Sequence, residues 1–516
     1  MRLVGIRNQA WVSIFVLSLG LVTAWEVSHW LTAGDLKTLI YAGLAVALGA
    51  VSLAILDNWR TGFYFFLFWL LFEDLIRKYM GNNMAIYFGK DVLVGITYVS
   101  LLIAIRRGRA QAFRPPFLIV LSLFFWLAVL QIFNPDSPSV AYGLLGIKLY
   151  FYYVPLMFVG YALADSGKEL HRFLTINAVL AAVIAILGII QGIAGPSFLN
   201  PAELAPDIRE LSTLYRYAPI SGQIVYRPNS VFVSDGRFAG YVLLVWILML
   251  GSAGYLVLSR RRRQWLILGA AALTAVAALM SAGRGMFIHV AASGIVVAAG
   301  FLWGAPWRWG QGQRAMKAIR RSVTAAGVGF LLAMLFFPQA LSARWAFLVE
   351  TLSPFSPTSE LRDRAVNYSF QELQKAFAYG GWWLGHGTGT TSLGVQYITR
   401  LLGKPRPPFG VESGYGNLVL EFGILGLSLW LLWTTALLMA AWKVVWRLKQ
   451  TAYFPLAFAI FWFSFLLLVP FTYGGLDAYQ NYVFNAYFWL LIGVLFRLLP
   501  LAKSEAAPVP VPSHGR

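Results

Sequence analysis

The chain has no cysteine among its 516 residues and only five histidines. Without cysteine it can form no disulfide, no thiolate nucleophile and no Cys-ligated metal site. The histidines show neither a His-x-His nor an HExxH pattern, so a zinc site is not expected. We therefore expect no thiolate chemistry and no zinc site.

Charged residues are also scarce, at 12%, while 59% of the residues are hydrophobic. A soluble domain needs about 25% charged residues to cover its surface. Apolar runs of about 20 residues recur along the chain, and each can cross a bilayer core as a helix. The composition predicts one all-α, polytopic transmembrane domain over residues 1–505. The Pro/Val/Ala-rich tail, 506–516, is predicted to be disordered and cytoplasmic.

The apolar runs predict about 14 spans. The first follows Arg2 and Arg7 without a persuasive cleavage site, so it is expected to stay uncleaved. The predicted spans lie near 11–31, 36–56, 59–73, 91–105, 116–133, 149–164, 173–195, 237–258, 264–281, 284–304, 322–339, 413–441, 453–470 and 481–499.

Four connections carry clustered basic residues with no acid among them: 106–114, 260–263, 308–321 and 443–449. The positive-inside rule places all four in the cytoplasm, and the span count places both termini there too. The net charge of +20 is then explained by topology and by contacts with anionic membrane lipids. Nucleic acid is not an expected partner.

Three long connections fall on the opposite, outer side: about 74–90, 196–236 and 340–412. A connection of some 70 residues is usually functional or a small domain. Within the third, Ser359 to Ala378 has helical spacing of apolar residues and includes Arg364. We expect an amphipathic helix there, lying over the outer membrane surface.

A tight outer turn, Ser281-Ala-Gly-Arg284-Gly285, joins two apolar spans. An arginine at this depth without an adjacent acid is costly unless an anion satisfies it. Arg284 is either a phosphate clamp or an arginine that snorkels at a helix end.

A second outer segment, Tyr226 to Phe238, carries Arg227 and Arg237 at a membrane edge. This arrangement suits an anionic headgroup. The alternative is structural, with Arg237 paired to Asp235 at the start of the next helix.

The end of the third outer connection holds a glycine-rich stretch around His386, followed by Glu412-Ser-Gly-Tyr415 and then Glu421. Glu412 falls at the mouth of a span, where desolvation would suit a general base. The alternative is a carboxylate favoured by the helix dipole. Glu421 lies deeper in an apolar helix, so it is either structurally paired or functional.

A fourth group of charges surrounds the first outer connection and reads Glu73-Asp74, Arg77-Lys78 and Lys90-Asp91. Such a mixed cluster is either an internally paired interfacial loop or a substrate-binding group.

Taken in order, these motifs resemble the O-antigen ligase/polymerase superfamily of bacterial polysaccharide membrane enzymes over roughly residues 60 to 440. The resemblance implies glycosyl transfer from a polyprenyl-diphosphate-linked glycan to an acceptor glycan hydroxyl, at the outer face of the bacterial inner membrane. It implies a reaction that uses no nucleotide sugar, no metal and no cofactor. It implies that Arg284 and Arg227 hold the diphosphate, and that Glu412 takes the proton where ligases have histidine. Arg237 is expected to assist the two arginines at the diphosphate, and Tyr415 to stack on a sugar ring. Substrate-binding roles are also expected for Arg77, Lys78, Arg364 and His386.

Because ligases begin this segment with His-Asn-x-Tyr and this chain with Glu-Ser-Gly-Tyr, polymerisation of a repeat unit is favoured over ligation. A transporter or flippase of lipid-linked glycans is the alternative from another class. It predicts mid-membrane charges and internal repeats. A non-catalytic scaffold that binds other polysaccharide assembly proteins is the third hypothesis.

Overall fold

The computed structural model describes residues 51–81, 84–201, 215–259, 264–307, 338–352, 368–403 and 405–506, with a few isolated positions between them. Helices account for about three quarters of the structure. The described strands form one two-stranded antiparallel hairpin, in which Arg216 lies opposite Val225. The prediction of an all-α membrane protein is confirmed. The hairpin was not predicted, and it lies in a segment that was predicted to be a loop.

The first half of the described chain contains α1 (Trp59–Tyr79), α2 (Met84–Arg106), α3 (Leu118–Leu130), α4 (Val140–Phe151), α5 (Leu156–Leu163), α6 (Gly167–Ala194), β1 (Tyr215–Tyr217), β2 (Ile224–Tyr226) and α7 (Asp235–Ser259). The second half contains α8 (Gln264–Met280), α9 (Arg284–Gly304), α10 (Pro338–Leu352), α11 (Ser369–Ala378), α12 (Val395–Leu402), α13 (Gly414–Arg447), α14 (Phe454–Leu466), α15 (Asp477–Gln480) and α16 (Tyr482–Ala506).

Among the described residues, eight helices are long and apolar enough to cross a membrane. They are Met84–Arg106, Val140–Leu163, Gly167–Ala194, Asp235–Ser259, Gly285–Gly304, Gly414–Arg447, Phe454–Gly474 and Tyr482–Glu505. Two more apolar helices, Leu118–Phe133 and Trp265–Met280, are shorter. All ten overlap predicted spans, but a count of 14 is not established. The predicted spans 11–31 and 322–339, most of 36–56, and the tail from residue 507 lie outside the described residues.

The helix α16 lies at the centre of the bundle, since 89% of its apolar window is buried. Gly160 of α5 and Gly493 of α16 let the two backbones touch, because a Cβ at either position would meet main-chain atoms of the other helix. Around it, Trp430 packs edge-on against Trp433 and Tyr479 at centroid distances of 5.0 and 4.9 Å. Aromatic packing of this kind adds to the energy of simple burial.

The helix α13 is broken at Gly423, which has φ 68°. The break leaves main-chain groups that lipid could not satisfy. The preceding loop satisfies them: His386 N–H donates to Leu420 O at 2.7 Å, and Gly387 N–H donates to Glu421 O at 3.1 Å. On the other side of the break, Ile424 N–H donates to Trp382 O at 2.8 Å. The glycine-rich loop thus supplies hydrogen-bond partners for α13 on both sides of the break.

One end of the bundle, here called the site end, gathers the C-termini of α1, α6 and α8 and the N-termini of α7, α9, α13 and α16. The described basic segments, 106–114 and 443–449, lie at the other end. There Arg497 of α16 bonds the Gln111 side chain, and Gln450 N–H donates to Gly304 O at 2.8 Å. This separation agrees with the predicted sidedness, while the direction in the membrane stays a prediction. Most of 308–321, and all of 260–263, lie outside the described residues.

The third predicted outer connection contains α10, α11 and α12. Of the predicted amphipathic helix, the structure describes α11, which packs on α13 through Ala376 against Val419 and Leu420. Phe370 remains 54% exposed, so an apolar residue is left on the outward face. Residues 353–367, including Arg364, lie outside the described residues.

Candidate functional site

A cluster of charged side chains lies buried at the site end, where α1, α2, α4 and α7 meet. We call it the cation cluster; it consists of Arg77, Lys78, Lys90, Lys148 and Arg237 with the carboxylates Glu73, Asp74 and Asp91. Lys148 was not identified from the sequence. A single lysine inside an apolar run is a signal that could have found it.

Asp74 is the junction of the cluster and is 0% exposed. Its carboxylate accepts hydrogen bonds from Arg77 Nη1 at 3.1 Å and Arg237 Nη1 at 2.8 Å. A third bond comes from Val233 N–H, at 3.1 Å. The predicted fourth group and the Tyr226–Phe238 segment are therefore one site. Arg237 pairs with Asp74 and not, as the structural alternative had it, with Asp235.

The other two carboxylates pair with lysines. Lys90 Nζ lies 2.8 Å from Glu73 Oε2, with both side chains fully buried. Asp91 pairs with Lys148 and also accepts a hydrogen bond from Tyr153 Oη at 2.8 Å.

Two tyrosine rings lie among the cations. Lys90 Nζ lies 3.4 Å from the centroid of Tyr87, and Lys148 Nζ lies 4.5 Å from it. The Arg237 guanidinium lies 4.8 Å from the centroid of Tyr482, which packs edge-on against Tyr87 at 6.2 Å. Cation–π attraction holds charges at such positions without neutralising them.

Lys78 differs from the other four cations. It is 1% exposed, and its Nζ donates to the main-chain oxygen of Ser230 at 2.8 Å. Ser230 is held in turn by Gln191, whose Oε1 accepts from the N–H groups of Asn229 and Ser230 at 2.9 and 2.6 Å. The segment between the two predicted arginines is thus fixed to α1 and α6.

Arg227 forms an ion pair with Asp235 and keeps 15% of its side chain exposed. Burial lowers the pKa of Arg227, and Asp235 opposes that effect. Arg227 was predicted to bind the diphosphate, but its charge is already neutralised by Asp235 of the same segment.

The Ser281–Gly285 turn lies beside the hairpin. Ala282 has φ 49°, and the Ser281 hydroxyl donates to Ala278 O at 2.7 Å. Ala282 and Val225 belong to one apolar cluster, so the residues two positions before Arg284 and Arg227 lie in the same part of the structure. Helix α9 begins at Arg284, but the position of that side chain lies outside what the structure describes.

Sequence reasoning also missed Arg344, on α10. Its guanidinium is bonded to Met280 O and to Gly192 O, the latter at 2.8 Å, so it caps the C-termini of α8 and α6 together. Burial lowers the pKa of Arg344 to about 10, and Tyr226 opposes that effect. No local pattern marks this residue, because both carbonyl partners belong to distant helices.

An apolar groove of about 530 Å³ lies below the turn, between α7, α8, α9 and α10. Its lining includes Trp246, Ala278, Phe287, Gly294 and Leu348. Since Phe287 also packs in the cluster around Ala282, the groove reaches the Ser281–Gly285 turn.

Glu412 lies just before α13, whose N-cap is Ser413. The desolvation expected for it is not found, since its side chain is exposed. Its N–H donates to Glu372 Oε2 at 3.0 Å. Burial opposes ionisation of Glu372, but hydrogen bonds from Lys375 and from Glu412 N–H outweigh it and lower the pKa of Glu372.

A second carboxylate, Asp477, faces Glu412 and was not predicted. Asp477 keeps an exposed side, yet partial burial raises its pKa, and the charge of Glu412 raises it further. Tyr415 of the same segment lies 6.2 Å from Tyr473, between ring centroids. Asp477 and Tyr482 are five residues apart, so their Cα atoms are within about 18 Å. The acidic pair and the cation cluster are therefore neighbouring parts of the site end.

His386 and Glu421 have other partners. The His386 ring stacks on Phe409 at 4.4 Å, and its Nδ1 is 3.6 Å from Asp136 Oδ2. Glu421 is fully buried and accepts hydrogen bonds from Tyr150, Gly389 and Thr391. Of the two possibilities for Glu421, the structure shows the paired one.

Over the described ranges, no group of three or more His, Asp or Glu side chains could hold a metal ion. The site is built from cations, carboxylates and aromatic rings. No protein-family model, curated protein or solved structure matches the chain.

Proposed function

We propose that this chain is a membrane glycosyltransferase that uses a polyprenyl-diphosphate-linked glycan as donor and a sugar hydroxyl as acceptor, and polymerises the repeat unit of a bacterial polysaccharide. The site end would face the outer side of the inner membrane, away from the basic segments. The observation that carries the proposal is that several of the predicted outer segments lie at one end of the bundle. Asp74 of α1 accepts a hydrogen bond from Val233 in the Tyr226–Phe238 segment. Val225, which directly precedes that segment, shares an apolar cluster with Ala282 of the Ser281–Gly285 turn.

The reaction is a displacement at the anomeric carbon. The acceptor oxygen forms the new bond, the bond to the diphosphate oxygen breaks, and the lipid diphosphate leaves with both bonding electrons. Glu412 accepts the proton of the acceptor hydroxyl. Arg284 stabilises the charge that develops on the diphosphate.

The apolar groove supports a lipid-linked donor. It reaches the turn that starts with Ser281, and its lining is apolar side chains and small residues. The isoprene units nearest the diphosphate would occupy it, which would leave the headgroup beside the turn.

The test is chain growth in proteoliposomes supplied with a lipid-linked repeat unit. Arg284→Ala should slow growth by about 10²–10³-fold, the usual cost of losing such a stabilising donor. Glu412→Gln should also slow it strongly, while Arg172→Ala, at an exposed surface position, should leave it unchanged. Near-wild-type rates of glycan chain growth in both site variants would refute the mechanism.

A deletion strain separates the two enzymatic alternatives. Loss of polymer with accumulation of single lipid-linked units supports the polymerase. Full-length polymer left on its lipid carrier would instead identify a ligase.

A further inference from the structure

A group of tryptophan rings lies at the end of the bundle opposite the site end. Trp303 is near the C-terminus of α9, and Trp442 and Trp446 are one turn apart near the C-terminus of α13. The ring of Trp303 is parallel to that of Trp442, with centroids 6.0 Å apart, and lies 5.6 Å from Trp446. Phe454, at the start of α14, is 5.8 Å from Trp303. We call these four residues, together with Lys449, the tryptophan corner.

Lys449 lies over two of the rings. Its Nζ is 4.2 Å from the centroid of Trp303 and 5.2 Å from that of Trp446. Attraction to the ring faces fixes the position of the ammonium group but leaves its charge in place. Because a ring face takes up no more than part of its surroundings, the ammonium can still donate hydrogen bonds to a ligand.

The charges around the corner are all of one sign. Lys443 and Arg447 are exposed on α13, and Lys449 follows two residues after that helix. Among the described residues, none of these three cations forms an ion pair with a carboxylate. Glu505 of α16 lies close to Tyr453 instead. The corner is therefore positively charged and suits an anion.

The corner also lies at the depth of a membrane interface. Helices α9 and α13 are both long and apolar enough to span a bilayer, and their ends are level because Gln450 N–H donates to Gly304 O at 2.8 Å. Trp442 is five residues before the end of α13, so it lies within about 8 Å of that end along the helix axis. Trp303 and Trp446 are 43% and 54% exposed, as is typical of rings at the boundary between acyl chains and headgroups.

We propose that the tryptophan corner is a binding site for one anionic phospholipid, whose phosphate contacts Lys449 and whose acyl chains pack on the exposed faces of Trp303 and Trp446. A small soluble anion would use the cations but not the rings, and a neutral lipid would use the rings but not the cations. An anionic phospholipid uses both. Basic pockets between transmembrane helices are known to take such headgroups.

This site differs from the general attraction of basic connections to anionic membranes, because it has a defined place between α9, α13 and α14. Its ligand is a component of the bilayer and not a substrate. It lies at the opposite end from the Ser281–Gly285 turn, so the inference does not depend on the proposed reaction.

The probe is phosphatidylglycerol, titrated into delipidated full-length protein in detergent, with the bound lipids counted by native mass spectrometry. Phosphatidylcholine with the same acyl chains is the neutral comparison. The wild type should bind its first phosphatidylglycerol at least about fivefold more tightly than phosphatidylcholine. Lys449→Met should abolish most of this preference, whereas Lys449→Arg keeps the charge, can also stack on the rings and should retain it. Trp446→Leu keeps every charge and should weaken binding about two- to fivefold.

The matched control is Lys168→Met. It removes the same charge from an exposed position at the same end of the bundle, but from α6, which does not contribute to the corner. Its affinity for phosphatidylglycerol should stay within about twofold of wild type, since charges farther apart than about 10 Å are largely screened. Equal losses in Lys168→Met and Lys449→Met would show a diffuse surface attraction and overturn the site. Equal binding of the two lipids by wild type, or equally tight binding of glycerol phosphate, would overturn the anionic-lipid assignment.

Thermal unfolding gives a second readout. Phosphatidylglycerol should raise the melting temperature of the wild type more than that of Lys449→Met, because a ligand that binds the folded state stabilises it. Lys449→Gln serves in both measurements if the methionine variant does not fold. Equal rises in wild type and variant would contradict the site. Protein that extends glycans but shows no lipid preference would refute the site and leave the proposed function, and protein with the preference but no glycan extension would do the reverse.

Discussion

Lys78 Nζ donates a hydrogen bond to the main-chain oxygen of Ser230, 2.8 Å away. Ser230 has φ 51°, in the left-handed region, which turns its carbonyl and its N–H toward different partners. The N–H bonds Gln191 of α6, so one residue connects α1 and α6 with the segment that carries Arg237. One buried lysine thereby fixes the main chain of the segment that leads into α7.

Glu421→Ala should destabilise the protein, because this carboxylate holds the glycine-rich loop against α13. The carboxylate accepts hydrogen bonds from Gly389 N–H at 3.0 Å and from Thr391 Oγ1 at 2.8 Å. Hydrogen bonds to charged groups contribute about 1.5–3 kcal/mol each, so the loss should reach about 3 kcal/mol or more. Thermal unfolding in detergent measures it.

Glu421→Gln keeps the shape and one carbonyl acceptor, so its melting temperature should fall between alanine and wild type. Ser428→Ala, at an exposed position on the same helix, should leave the melting temperature unchanged. A Glu421→Ala protein as stable as wild type would show that the loop does not depend on this carboxylate.

The spans and the turn at Ser281 were predictable because apolar runs and glycine breaks are local properties of the sequence. The partner of Arg237 was not. Asp235 lies two residues away, while the actual partner, Asp74, is 163 residues away and is reached through helix packing. A sequence shows which charges are costly in a membrane, but the order in which helices pack decides which of them meet.

The same reason explains the two kinds of missed residue. Lys148 stands out in an apolar run and could have been found, because an isolated intramembrane charge is a signal in itself. Asp477 and Arg344 stand in polar segments where a charge is ordinary. Asp477 is important because it lies near Glu412, and Arg344 because it bonds Gly192 O. Both partners are far away in sequence.

Arg344→Met should loosen the junction between α6 and α8. The guanidinium bonds a carbonyl at the end of each helix, Gly192 O and Met280 O, and a cation there also interacts favourably with both helix dipoles. Losing two hydrogen bonds from a charged donor should cost about 3 kcal/mol or more, seen as a lower melting temperature. Arg172→Met is the exposed control and should cost little.

Because Met280 directly precedes the Ser281–Gly285 turn, Arg344→Met should also slow chain growth in folded protein. Arg344→Lys can bond only one of the two carbonyls well and should recover part of the stability. A methionine variant with the wild-type melting temperature would show that the two bonds from Arg344 to the ends of α6 and α8 do not stabilise the protein.

Asp477→Asn should raise stability at neutral pH but not at acidic pH. Partial burial, and next the charge of Glu412, raise the pKa of Asp477 above its unfolded value. The fold therefore favours the protonated acid, and ionisation costs stability as pH rises through the folded-state pKa. The cost disappears as pH falls below the ordinary value of about 4. Melting temperatures of the variant and wild type, compared from about pH 3 to pH 8, should converge at the acidic end. Glu412→Gln should shrink the difference at neutral pH, because it removes one of the two causes, and a difference independent of pH would rule out the coupling of the two carboxylates.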